Sequence, residues 1–171
     1  MNPTQYDLAG NHVVALGYGD LTEPLVEELR DGNTEFVVIT PDSDRAAMRR
    51  DQGVDVVIGD PSDEEPLDDS GIGHARAIIA ATNDDAQDAL AVLTARELSP
   101  DARIVAAATV RENVEKLRRA GADTVLSPAV IGGRLLVRSA LDDADVESLA
   151  ARIMDEQERW TPGVAVSVPV D

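Results

Sequence analysis

The stretch His12-Val13-Val14-Ala15-Leu16-Gly17-Tyr18-Gly19-Asp20-Leu21-Thr22-Glu23-Pro24 decides the fold. Its apolar run ends in a Gly-x-Gly turn, and a helical pattern follows at once with Leu25, Val26 and Leu29 on one face. Strand, glycine turn and helix in that order open a nucleotide-binding α/β unit. A dinucleotide-binding turn carries a third glycine at position 22, where this chain has Thr22. Gly17 permits a tight turn, and Gly19 lets phosphates approach backbone N–H groups at a helix N-terminus. Tyr18 lies between them. The end of the second strand, where an acidic residue would bind ribose hydroxyls, holds Thr40, and Asp42 comes two positions late. Asp20 sits in the first turn of the helix, where a pyrophosphate would lie. A helix N-terminus favours an anion by about 0.3–1 kcal/mol. A carboxylate ~4 Å from a phosphate charge opposes it by about 1 kcal/mol in water and about 4 kcal/mol at an effective dielectric of 20. Three readings of the turn follow: an adenine-nucleotide site, a turn that only builds the fold, and a cation held by Asp20 and its neighbours.

Outward from this stretch, strands and helices alternate. Strands are predicted at 11–16, 36–39, 54–58, 76–81, 104–108 and 124–126, with helices between them at about 22–30, 43–52, 64–70, 84–99 and 111–120. The strands are apolar throughout rather than alternating, which predicts a parallel sheet covered on both faces. The fold class is α/β: a Rossmann-like, doubly wound, six-stranded parallel sheet over residues 11–127. Residues 128–171 form a second region of crossover and dimerisation helices and a terminal strand. The helix 129–141 has apolar residues at 130, 131, 135, 136, 137, 140 and 141, pointing in nearly every direction. A helix apolar all round must be covered on more than one side. Asp142-Asp143 is read as the cap of a further helix with Val146, Leu149, Ala150 and Ile153 on one face. Val164, Val166, Val168 and Val170 alternate as in an edge strand, where Pro169 is tolerated.

Composition narrows the function. The 171 residues include no cysteine, which excludes disulfides, zinc–thiolate sites and thiol nucleophiles. No run approaches the ~18 apolar residues of a membrane span, and the polar N-terminus has no signal-peptide core, so the chain reads as cytoplasmic. Asp plus Glu number 33 against 15 Lys plus Arg, for a net charge of −18, and Lys116 is the single lysine. Such a chain has nothing with which to neutralise a run of phosphates, so nucleic acid is not a partner. Arginine in place of lysine on an acidic surface fits a high-salt cytoplasm.

The remaining strand ends carry polar residues that a ligand in the crevice would meet: Asp60 in Gly59-Asp60-Pro61, and Thr82 and Asn83 in Thr82-Asn83-Asp84-Asp85. Asp and Asn at these places equally cap the helices that follow. Asp63-Glu64-Glu65 and Asp68-Asp69 form a carboxylate-rich loop, read as solvated surface rather than a hard-cation site. Catalysis finds little support: His12 and His74 both precede strands, at the edge opposite the crevice, and no nucleophile elbow or P-loop occurs. The chain is read as a non-enzyme.

The segments VITPDSDRAAMRRDQGVDVVIGDPSDEEPL, IIAATNDDAQDALAVLTARELSPDARIVAAA and RRAGADTVLSPAVIGGRLLVRSAL resemble the RCK (TrkA-N) domain, the ligand-sensing cytoplasmic module of potassium channels and Trk- and Kef-type transporters. The likeness covers about residues 11–141, and the last segment looks closest to calcium-gated archaeal channels. The resemblance implies a Rossmann N-lobe whose sixth helix crosses to a partner subunit, lobes assembled into gating rings on a membrane pore, and ligands that include NAD, ATP or ADP, AMP or Ca²⁺. By that resemblance the ligand-contacting positions are Gly17, Tyr18, Gly19, Asp20, Thr22, Thr40, Asp42, Asp60, Thr82 and Asn83. The interface positions are Val130, Ile131, Leu135, Leu136 and Val137. Thr22 and Thr40 depart from the NAD-binding pattern, Ala107 stands where many members carry a basic residue in strand five, and Pro41, Asp42 and Ser43 depart from the glutamates of the calcium site. Residues 164–170 look like the first strand of the family's C-terminal lobe. The reading is a gating domain for a potassium channel or transporter, working as a homodimer or a higher ring. Its rivals are a stand-alone nucleotide sensor subunit and an NAD(P)-dependent enzyme fragment.

At this charge density self-repulsion opposes compaction, and at about 1 M salt the Debye length is only ~3 Å. Thermal unfolding followed by circular dichroism therefore moves to higher temperature from dilute buffer to molar KCl. A midpoint that ignores salt would show that the carboxylates are not under mutual strain.

Overall fold

A computed structural model describes residues 10–142 and 145–159. The first four elements are β1 (Val13–Leu16), α1 (Thr22–Asp31), β2 (Phe36–Thr40) and α2 (Ser43–Asp51). They are followed by β3 (Asp55–Ile58), α3 (Glu64–Asp69), β4 (Ala77–Ala80) and α4 (Asp85–Leu98). Then come β5 (Arg103–Ala107), α5 (Val114–Ala120), β6 (Thr124–Leu126), α6 (Pro128–Leu141) and α7 (Val146–Arg159). The six strands form one parallel sheet in the order β3-β2-β1-β4-β5-β6, a Rossmann-like α/β fold. The chain divides into two compact units between Ser127 and Pro128.

β1 lies at the centre, with Val13 paired to both Phe36 of β2 and Ala77 of β4. All four of its residues are buried, as a strand with neighbours on both edges and cover on both faces requires. Alternate residues feed two cores. Val14, Leu16, Val37, Ile39, Ile78 and Ile104 point to one face, among Leu67 of α3, Val92 and Ala95 of α4 and Leu117 of α5. Ala15, Val38 and Val56 point to the other face, among Val26 of α1 and Ala46 of α2. That second core covers β1, β2 and β3 alone. On β4 and β5 burial alternates, so Ile79, Val105 and Ala107 are only half-buried. The apolar strands therefore predict more cover than this unit supplies: α1 and α2 both lie on the β1–β3 half.

Most element ends fall within one or two residues of the sequence reading, and two boundaries differ in kind. The segment 111–120 begins as a 3-10 turn, Arg111–Asn113, before α5. The cap of α7 is Asp145 rather than Asp142, and Asp143 lies outside the described residues: the Asp145 carboxylate accepts the Glu147 and Ser148 N–H groups at 3.0 and 3.3 Å. The Asp142 amide instead still bonds back to the Arg138 carbonyl at 2.8 Å and so extends α6. In the second unit α7 packs on α6, with Leu149 and Ile153 buried and Val146 exposed. The alternating segment 164–170 lies outside the described residues. Among the described residues no helix is long and apolar enough to cross a membrane.

Candidate functional site

The strand order reverses between β1 and β4, and in such sheets ligands bind beyond the C-terminal strand ends at that point. A cleft of about 510 Å³ opens there. Gly17, Tyr18, Pro41, Asp60, Pro61, Thr82, Asn83, Asp84 and Gln87 line it.

The end of β4 is pressed onto the glycine turn. Gly17 has φ +80°, and a Cβ there would run into Thr82 Cγ2. A Cβ on Gly19 would lie 2.8 Å from Asn83 Oδ1 and 2.9 Å from Thr82 Cα. Both glycines are thus required by protein packing before any ligand enters. The turn is also hydrogen-bonded internally. Thr22, 2% exposed, accepts the Gly19 N–H on its Oγ1 at 2.9 Å. Asn83 Oδ1 accepts the Asp20 N–H at 3.2 Å, while the Asp20 side chain stays exposed.

Tyr18 faces α2. Its ring lies under the Arg45 guanidinium at 4.4 Å and the Arg49 guanidinium at 5.4 Å, within cation–π range. Its hydroxyl bonds to Glu23 and Arg49, which also pair with each other. Thr40 is buried and its Oγ1 accepts the Asp42 N–H at 3.3 Å. Asp42 caps α2, accepting the Arg45 N–H at 3.0 Å, and its second oxygen lies 3.8 Å from Arg45 Nε. Neither Thr40 nor Asp42 lines the cleft.

Asp60 Oδ1 accepts three bonds, from Ser62 Oγ at 2.6 Å, Ser62 N at 2.8 Å and Gln87 Nε2 at 2.8 Å. The Ser62 hydroxyl does most to hold its pKa below the ordinary value, and the Ser62 amide and Gln87 add to this. The acids of α4 tie the strand ends together. Asp84 caps the helix through the Ala86 and Gln87 N–H groups. Asp85, buried, accepts Thr109 N at 2.9 Å, Thr109 Oγ1 at 2.9 Å and Asn113 Nδ2 at 2.8 Å. Desolvation pushes its pKa up, but these bonds outweigh it and the net shift is downward. Asp88, 1% exposed, accepts the Thr82 N–H at 3.1 Å and the Thr82 hydroxyl at 2.7 Å. Here desolvation wins, helped by the like charges of Asp85 and Asp84, and the pKa is pushed up to about 6.

The TrkA-N domain family model matches residues 13–128. The chain belongs to the TrkA-N domain family. It is 30% identical over 150 residues to potassium channel protein 1 of Methanocaldococcus jannaschii, covering 86% of this chain and 45% of that one. Among solved structures, the TrkA-N domain of the inner membrane protein YbaL of Escherichia coli superposes with a TM-score of 0.73 at 26% identity, over 78% of this chain and 98% of that one. The GsuK RCK domain superposes with a TM-score of 0.68 at 33% identity, over 78% of this chain and 29% of that one. The chain spans less than half the length of the potassium channel proteins it matches.

Of the ten ligand-contacting positions named from the sequence, this TrkA-N domain brings Gly17, Tyr18, Asp60, Thr82 and Asn83 to the cleft wall. Gly19, Asp20, Thr22, Thr40 and Asp42 stand behind or beside it. Asp84 and Gln87 line the cleft without having been singled out; they sit one turn apart at the start of α4, a spacing visible in the sequence. Asp88 was also missed, because an acid inside a helix of an acidic chain reads as surface until its burial is seen. His12 is buried at the opposite strand end, its Nε2 2.9 Å from the Ser70 carbonyl. Among the described residues no group of His, Asp and Glu side chains is placed to hold a metal.

Asp88 gives a signed pH dependence. Its pKa is about 6 in the fold and an ordinary 3.8 when exposed, so between these values the folded state binds the extra proton. Stability from this group is greatest at low pH and falls as pH rises, by about 3 kcal/mol in all. Asp88→Asn removes the dependence and keeps an acceptor for Thr82. The stability difference between D88N and wild type, from denaturant unfolding, should grow between about pH 4 and pH 6 and then level off. A difference independent of pH would show that Asp88 ionises freely.

Proposed function

We propose that this chain is the ligand-sensing N-lobe of a potassium channel or potassium transporter, on the cytoplasmic side of its pore. It acts by binding rather than by catalysis. The observation that carries the reading is α6. None of its residues is buried, and Leu136, Val137 and Leu141 are 74%, 58% and 80% exposed. An apolar surface of this kind on a helix calls for a partner. A second copy of the chain, within a homodimer or a higher ring, meets it through Val130, Ile131, Leu135, Leu136 and Val137. Ligand in the cleft then biases the relative orientation of two subunits, and a pore can use that difference.

The ligand class is an adenine nucleotide. GsuK structures have been solved bound to NAD and to ADP, and the cleft here lies at the strand ends where a nucleotide sits in such sheets. Ca²⁺ has weaker support, since the one acid of the loop after β2, Asp42, caps α2.

Light scattering in molar KCl should give a dimer or larger assembly, and Leu136→Asp should reduce it to the monomer with the circular dichroism unchanged. A wild-type monomer would remove the interface. Calorimetric titration with NADH, ADP, AMP and Ca²⁺ at the same salt should show heat for at least one nucleotide, and Gln87→Ala should weaken it. No heat from any nucleotide would sink the sensor reading.

A further inference from the structure

The cleft has the outline of a dinucleotide site, but several of the turn amides that would receive a pyrophosphate are already engaged within the protein. The Gly17 N–H bonds to the Ile39 carbonyl at 2.9 Å within the sheet. The Gly19 N–H is held by Thr22 Oγ1 at 2.9 Å and the Asp20 N–H by Asn83 Oδ1 at 3.2 Å. The Thr22 N–H bonds to the Gly19 carbonyl at 3.1 Å. In the first turn of α1, Pro24 has no N–H to offer. The charges agree with the donors. Asp60 and Asp84 line the cleft, and Asp20 is exposed beside the turn. The nearby cations Arg45 and Arg49 are paired with Asp42 and Glu23. Carboxylate oxygens accept hydrogen bonds and repel phosphate; they suit the hydroxyls of a ribose and the amine of a base.

We propose that Thr22 and Asn83 cap the phosphate-binding turn from within, making the cleft selective for a nucleoside carrying at most one phosphate over diphosphates and dinucleotides. This rests on the nucleotide reading above and adds the selectivity and the residues that set it. Thr22 is the main determinant. A glycine at this position carries no side-chain acceptor, so the Gly19 N–H would lose the partner that holds it within the turn.

The test titrates the full chain with AMP, ADP and NADH in molar KCl, as wild type and as Thr22→Gly, Thr22→Val and Thr22→Ser. Wild type should bind AMP about tenfold or more tightly than ADP or NADH, the worth of one hydrogen bond to a charged group. T22G and T22V both free the Gly19 N–H, and each should narrow that ratio by about tenfold; T22S keeps the hydroxyl and should leave it unchanged. T22V retains the bulk at a buried position and decides the matter if T22G does not fold. Wild type that binds ADP or NADH as tightly as AMP would overturn the proposal. So would a ratio equal in T22V and wild type. If wild type binds no nucleotide but T22G or T22V gains ADP, the sensor reading fails and the internal cap stands. If no variant binds any nucleotide, both fail.

Discussion

The contact between Thr82 and Gly17 organises this structure. It sits where the two halves of the sheet meet, at the C-terminal ends of β1 and β4. A side chain at position 17 could not coexist with Thr82 Cγ2, and the positive φ there would strain any residue but glycine. Thr82 is held from behind by the buried carboxylate of Asp88, through both its amide and its hydroxyl. The chain of contacts thus runs from α4 through the end of β4 to the turn that opens α1. The cleft walls take their spacing from it.

This arrangement gives the polar residues of α4 distinct tasks. Asp84 caps the helix, Asp85 fastens the loop after β5, and Asp88 fastens the loop after β4. Asp85 and Asp88 lie three residues apart, both buried, with pKa values displaced in opposite directions. The difference is one of partners. Asp85 accepts from Thr109 and Asn113, enough to overcome desolvation, whereas Asp88 has the donors of Thr82 alone and two carboxylates nearby. The protein tolerates the unfavourable acid where it braces the cleft.

Membership of the TrkA-N family and the exposed apolar residues of α6 are the two grounds of the proposed reading, a lobe that acts with a partner. The cleft adds a qualification. Its strand ends lie where nucleotides bind in such sheets, and Thr22 and Asn83 hold the Gly19 and Asp20 amides of the turn, the ground of the selectivity proposed for it. Fold and ligand chemistry separate at a few side chains, because the turn needs its glycines for packing whether or not phosphate is bound.

Periodicity and composition alone determined the six βα repeats, the parallel sheet and the change of pattern at Ser127-Pro128, because strand burial and helix faces are written locally in residue spacing. The Gly-x-Gly turn, and Thr22 and Thr40 as departures from a dinucleotide site, were legible for the same reason: a motif is a local pattern. Tertiary structure alone decided what those departures do. That Thr22 Oγ1 binds the Gly19 amide, that Asn83 reaches Asp20, and that Asp88 is buried behind Thr82 are consequences of bringing β1 beside β4. Sixty-three residues separate Asp20 from Asn83, and no spacing rule spans that distance. Half-burial on β4 and β5 was hidden too, since an apolar strand reads alike whether one helix layer covers it or two.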